Sequence, residues 1–209
     1  MHAVRKEQST TTKIRAVFDA SAKSSTGISL NDTLLVGPTV HSSLLDVLLK
    51  FRIHRVALTT DVSKMYQAVN LAMSDRDLHR FLWRKSVTDT LVDYRMTHVT
   101  FGVSASSFAA NMAVQQNALD LAIEYPLAAK IVAGSFYVDD GLIGADSEQE
   151  AIELQKQLQS LFLRGGFLLR KWNSSESNVL KHLPPDLKDS QSNQMLPQSG
   201  EYIFTDAGC

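Results

Sequence analysis

The sequence predicts an α+β fold on a split βαβ plan, an antiparallel-leaning sheet with two helices on one face. Three observations carry this. From residue 55 onward the apolar pattern reads strand, helix, short strands, helix, hairpin, helix, strand. The apolar, β-leaning run Ile131-Val-Ala-Gly-Ser-Phe-Tyr-Val138 is interrupted by Asp139-Asp140-Gly141 and resumes at Leu142-Ile143, a hairpin pattern. Ser147-Glu-Gln-Glu150 is a capping-box pattern ahead of Ile152, Leu154, Leu158, Leu161 and Phe162, which share one helical face.

Taken in order, residues 1–13 are polar and Ser/Thr-rich and are expected to be extended or loose. Residues 13–19 alternate basic and apolar positions, a strand with one basic face. Residues 20–33 read as loop, and Gly37-Pro38 as a turn. Ser42 or Ser43 can cap a helix carrying Leu44, Leu45, Val47, Leu48 and Phe51, with Lys50 and Arg52 suiting its C-terminal dipole. A strand is expected over 55–61, closed by Asp61, and then helical spacing at Val62, Met65, Tyr66 and Val69. A short helix from Ser74 and two β-like segments near 81–84 and 90–100 follow. After a break at 101–104, a long helix is expected over 104–124, with Ala105, Ser106, Ala109 and Ala113 forming a small-residue face. The 131–143 hairpin comes next, then the capped helix ending at Gly165-Gly166, then a strand over 167–172.

The 209 residues are enough for one sizeable core, and 44% hydrophobic with 21% charged residues is an ordinary globular balance. A formal net charge of −1 carries no general bias toward nucleic acid, so any such binding must come from local basic patches. The single Cys209 allows no intrachain disulfide framework, which favours an intracellular setting. No apolar run approaches the roughly 18–20 residues of a membrane span, and the first residues lack the apolar core of a signal peptide. No membrane partner is expected. Residues 184–199, rich in Pro, Ser, Gln, Asn and Asp, read as a linker or disordered tail.

Asp139 and Asp140 alone read equally as a water-facing turn or as paired carboxylates needing a cation. Asp61 alone reads first as a helix N-cap. In the predicted fold, however, the first strand lies beside the central hairpin, so Asp61 faces both acids. Three carboxylates at one sheet edge cannot all stay ionised without cations. Two Mg²⁺ ions about 3.5–4 Å apart would satisfy them, the geometry of in-line phosphoryl transfer.

Phe136-Tyr137-Val138-Asp139-Asp140 resembles the Tyr-x-Asp-Asp signature of reverse transcriptases, and four further blocks occur in matching order. Asp61-Val-Ser-Lys-Met-Tyr66 resembles the first catalytic block, Phe101-Gly-Val-Ser-Ala-Ser-Ser-Phe108 the second, and Gly165-Gly-Phe-Leu-Leu-Arg-Lys-Trp172 the Gly/Lys block. Lys13-Ile-Arg-Ala-Val-Phe-Asp-Ala-Ser21 resembles the fingers strand that meets the triphosphate. The wording Val-Phe-Asp-Ala-Ser, Leu-Asn-Asp-x-Leu and Leu-Arg-Lys-Trp resembles the Pao/BEL class of LTR retrotransposons, over roughly residues 2–183.

The resemblance implies a ferredoxin-like polymerase palm. Residues 1–40 would be partial fingers, 41–183 the palm with inserted fingers strands, and 184–209 a linker, with the thumb missing. It implies Asp61, Asp139 and Asp140 as catalytic carboxylates, the Val62 carbonyl as a further metal ligand, and two Mg²⁺ ions, with Mn²⁺ able to substitute. Lys13 and Arg15 would grip the triphosphate, Tyr66 would pack under the sugar and select dNTPs, and Gly102 would let backbone approach the nucleotide. Lys171 would steady the leaving pyrophosphate, and Tyr137 would lie near the primer terminus. The implied partners are a primed RNA or DNA template, dNTPs, and protease, ribonuclease H and integrase domains of a polyprotein. The implied setting is a cytoplasmic virus-like particle with a nuclear step. Phe101 stands where many reverse transcriptases carry Gln, and Ser107 where Pro is usual. Two rivals remain at this point: an inactive remnant that binds nucleic acid, and another Mg²⁺ phosphoryl-transfer enzyme on a similar palm, such as a nucleotide cyclase.

Overall fold

The computed structural model describes residues 2–5, 7 and 14–189. Along the chain run β1 (His2–Arg5), β2 (Ile14–Val17), α1 (Leu30–Thr33), α2 (Leu44–Ile53), β3 (Val56–Ser63), β4 (Arg80–Trp83), β5 (Val92–Arg95) and α3 (Ser106–Asp120). Then follow α4 (Pro126–Ser135), β6 (Phe136–Tyr137), β7 (Asp140–Ala145), α5 (Glu148–Arg164) and β8 (Leu168–Ser174). They form two compact units, residues 1–40 with 64–113, and residues 41–63 with 114–209.

The first unit contains two antiparallel ribbons, β1–β2 and β4–β5. Arg80 bonds Asp93 across the second ribbon and Asp77 just before it. Phe81 stacks on Tyr94 and meets Phe18 edge-on, with ring centroids 5.7 and 5.3 Å apart. The expected loop at 20–33 holds α1, a single turn whose Ser29 and Asp32 complete a reciprocal capping box. Only the caps signal so short a helix, because four residues show no periodicity. The expected helix after Asp61 is one 3₁₀ turn, Met65–Ala68. The strand instead runs on through Ser63, and Lys64 takes left-handed backbone (φ 53°) between the two.

Apolar burial is concentrated in the second unit. Its four strands are ordered β6-β7-β3-β8, antiparallel throughout. β3 alternates with period two, burying Val56, Leu58, Thr60 and Val62 and turning Asp61 to the other face. The α5 stripe of Ala151, Leu154, Leu158, Leu161 and Phe162 is buried, and Phe162 stacks on Phe136 with centroids 4.9 Å apart. Trp172 is fully buried and donates its indole N–H to Gln159 on α5 at 2.9 Å. The α5 start is half of the predicted capping box. Ser147 accepts from the Glu150 amide, but the Glu150 carboxylate accepts from Asp146 instead. Its end is a Schellman motif: Phe167 N–H bonds the Phe162 carbonyl, Gly166 N–H bonds the Leu163 carbonyl, and Gly166 has φ 79°.

Two expectations are corrected. The run 131–138 is not a strand: α4 continues to Ser135, leaving only Phe136–Tyr137 extended. A short apolar run does not by periodicity distinguish a buried strand from a buried helix. Here Pro126 at the first helical turn and the Ala-rich segment after it decide for helix. The 104–124 helix is α3 alone, ending at Asp120, and its buried positions are Ser106, Ala110, Asn111, Val114 and Ala118. Ala105, Ala109 and Ala113 are only half-buried, so the inward face is rotated by one residue.

The start of the expected linker lies along β8. Pro185–Leu187 forms a 3₁₀ turn, Lys188 bridges Trp172 in parallel, and Arg170 donates to the Asp186 carbonyl at 3.0 Å. The rest of that segment, Cys209 included, lies outside the described residues. Among the described residues no helix is long and apolar enough to cross a membrane.

Candidate functional site

The site is assembled on three adjacent strands of the second unit. β6 and β7 are joined by a two-residue loop, Val138-Asp139, with Tyr137 opposite Asp140 and Phe136 opposite Gly141. The turn therefore falls two residues earlier than Asp140-Gly141 suggests, and Gly141 is a strand residue. A Cβ there would lie 2.8 Å from the Thr60 methyl and 2.9 Å from the Phe136 ring, so the glycine serves close packing. The turn uses left-handed backbone at Val138 (φ 57°), which for a β-branched residue costs on the order of 1–3 kcal/mol. Beside it, Asp61 of β3 stands in register with Asp140 of β7. The Val62 amide donates to the Asp139 carbonyl at 2.7 Å, which pins the loop to β3. Asp61 and Asp140 thus stand opposite one another, with Asp139 in the adjoining turn. Asp61, however, sits inside the strand and is not a helix cap.

On the other side of β3, the register with β8 slips between Thr59 and Asp61. Thr59 pairs with Asn173 and Asp61 with Arg170, so Thr60 faces both Lys171 and Trp172, a β-bulge. Lys171 is the bulged residue, with left-handed backbone (φ 54°). Burial along β8 reflects it: Leu169 and Trp172 are buried, while Lys171 between them is exposed. The Thr60 hydroxyl donates to the Arg170 carbonyl at 3.0 Å and braces the kink. The bulge aims Lys171 at the acidic edge, where its Nζ lies 3.0 Å from Asp61 Oδ2.

The electrostatics follow from this crowding. The Asp140 carboxyl is pushed above its ordinary value, first by partial loss of hydration and then by Asp139 and Asp61, with Lys171 opposing. Among the described residues no three His, Cys, Asp or Glu side chains converge as they stand to cage one metal ion. The donor set instead fits a hard divalent cation held by one or two carboxylates together with oxygens of a bound substrate. Val62 has a hydrocarbon side chain, buried in the core, so its backbone carbonyl is the one metal-ligating atom it offers.

The other expected site residues are distributed between the units. Tyr137 is half-buried and meets His41 edge-on at 4.9 Å. Tyr66, in the first unit, meets Phe101 edge-on at 4.7 Å. Gly102 does permit a close backbone approach, but to this chain itself: a Cβ there would lie 1.9 Å from the Phe18 carbonyl oxygen, at φ 90°. Arg15 lies in β2 and pairs with Val4, whereas Lys13 lies outside the described residues. One positioning residue was missed. Asn31 donates to the Gly102 carbonyl at 3.1 Å and to Ser21 at 2.9 Å, and accepts from the Ser104 amide at 2.9 Å. Asn31 lies in the Leu-Asn-Asp-x-Leu wording and on the single turn α1, but four residues show no periodicity, so its three contacts are what reveal its positioning role.

No family model and no curated protein matches the chain. Solved structures do. The foamy viral protease–reverse transcriptase in complex with double-stranded DNA matches with a TM-score of 0.60 at 19% identity, over 80% of this chain and 25% of that one. A mutant of the prototype foamy virus protease–reverse transcriptase matches at 0.59 and 18%, over 80% and 19%. The foamy viral enzyme in complex with an RNA/DNA hybrid matches at 0.55 and 19%, over 80% and 19%. This chain thus spans a quarter or less of those chains, and the likeness establishes a reverse transcriptase-like α+β fold.

Proposed function

We propose that the chain is the palm and partial fingers of an RNA-directed DNA polymerase, of the Pao/BEL class of LTR retrotransposons. The observation that carries this reading is the register that sets Asp61 opposite Asp140 with Asp139 in the intervening turn. The fold shared with the foamy viral enzymes supports it. The substrates on this reading are dNTPs and a primed RNA or DNA template. The longer frame would carry protease, ribonuclease H and integrase domains, in a cytoplasmic particle with a nuclear step.

Asp61, Asp139, Asp140 and the Val62 carbonyl would hold two Mg²⁺ ions, or Mn²⁺ in their place. Bound there, the ions supply charge neutralisation, an activated primer hydroxyl and a steadied leaving group. The chain's own contribution is positioning. Backbone pairing of β3 with β7 fixes where Asp61 and Asp140 stand before substrate arrives, so only their side chains need rearrange. Lys171, Lys13 and Arg15 supply cationic donors for phosphate oxygens, Tyr66 a ring for the sugar, and Tyr137 one for the primer end.

The test is templated primer extension by this chain and by a longer frame containing it, with Mg²⁺ present. Asp139→Asn or Asp61→Asn is expected to abolish dNTP incorporation while leaving the circular dichroism spectrum unchanged. Undiminished extension by either variant overturns the reading. An inactive nucleic-acid-binding remnant is the second reading, favoured by Ser107 where Pro is usual in the second block. A Mg²⁺- and dNTP-dependent gain in duplex affinity would exclude it.

A further inference from the structure

Lys171 is placed with more care than a surface lysine needs. Without the extra residue in β8, strict alternation from Leu169 would send position 171 into the core. The bulge brings the side chain out, the Thr60 hydroxyl braces it, and the ammonium ends 3.0 Å from Asp61. Left-handed backbone at a non-glycine persists only where the surroundings hold it. The two side chains are also unequal. Asp61 is 23% exposed and Lys171 63%, so the acid is held within the sheet edge while the ammonium can swing away into water.

We propose that Lys171 is a tethered cation that competes with divalent metal for Asp61. In the metal-free chain its ammonium occupies the cation's place beside the acids, and metal binding displaces it toward solvent. The inference rests on the reading of Asp61 and Asp140 as metal ligands and adds a residue that tunes their affinity. Its physical basis is exclusion: Oδ2 of Asp61 cannot serve an ammonium at hydrogen-bond distance and coordinate a metal along the same direction. Each metal ion that binds must first break the ion pair. Free metal is thereby held off until a substrate brings further oxygens to the site.

Mn²⁺ alone is the probe, with binding followed on the full chain by loss of the free-ion electron paramagnetic resonance signal. Lys171→Met is expected to bind Mn²⁺ roughly two- to fivefold more tightly than the unmodified chain, as the loss of a partly exposed ion pair implies. Lys171→Gly, which also relieves the left-handed strain and so protects folding, should show the same gain. Lys171→Arg should stay near the original affinity. In chelator, Lys171→Met should melt lower than the unmodified chain, and saturating Mn²⁺ should remove that gap. Equal or weaker Mn²⁺ binding by both neutral variants overturns the competition and leaves the metal reading standing. Absence of Mn²⁺ binding by every sample overturns both.

Discussion

Asp140 carries a pH signature that can be read without any substrate. Its carboxyl holds a proton more tightly in the folded chain than in the unfolded one, because water is partly withdrawn and Asp139 and Asp61 lie close. The stabilising contribution is therefore complete below the ordinary carboxylate value and fades as pH rises through the raised one. In chelator, Asp140→Asn is expected to raise the melting temperature at pH 7 and to leave it unchanged near pH 3. Equal melting at both pH values would remove the account. Gly102 is the opposite case, a residue whose worth is purely spatial. With φ at 90° and the Phe18 carbonyl in the path of any Cβ, Gly102→Ala should cost at least about 1–3 kcal/mol in chemical denaturation. The facing of Asp61 and Asp140 was legible in the sequence because the predicted strand order set the end of the first strand beside the central hairpin. The left-handed residues beside them were not. Val138 and Lys171 are poor candidates for positive φ by residue type, so propensity points elsewhere.

At the scale of elements, α5 was the most legible piece and the helix–hairpin junction the least. The α5 stripe repeats at helical spacing between a Ser cap and a Gly-Gly stop, and each signal agrees with the others. Leu158, fully buried on that stripe, should cost about 2–5 kcal/mol when replaced by Ala, measured by denaturant titration with an unchanged slope. The 126–138 segment has apolar residues without a clear period, and Phe136 and Tyr137 have only two residues in which to declare themselves a strand. The bulge in β8 was invisible for a related reason. One extra residue looks like ordinary sequence until a partner strand shows that the count is off by one.

Across the whole molecule the two units are unequally founded. Among the described residues, only Met65, Val99 and Ala110 of the first unit belong to the buried apolar set. The β4–β5 ribbon leaves Leu82, Trp83, Val92 and Tyr94 exposed, and a two-stranded ribbon by itself is marginal in water. Amides of β4 and β5 are therefore expected to exchange with solvent well before those of β3, β7 and β8, and uniform protection across both units would refute this ordering. The Val138-Asp139 loop has a consequence of another kind. Two residues leave the chain no slack, so the position of Asp140 is counted from the turn, and the count has parity. A one-residue slip of β7 against β3 would turn Asp140 away from Asp61 and drive Ile143, now wholly buried, toward water. Two would restore the sides. An odd change in length here must be absorbed by a bulge or a wider turn, as the extra residue of β8 is, whereas an even one keeps the sides without such a device.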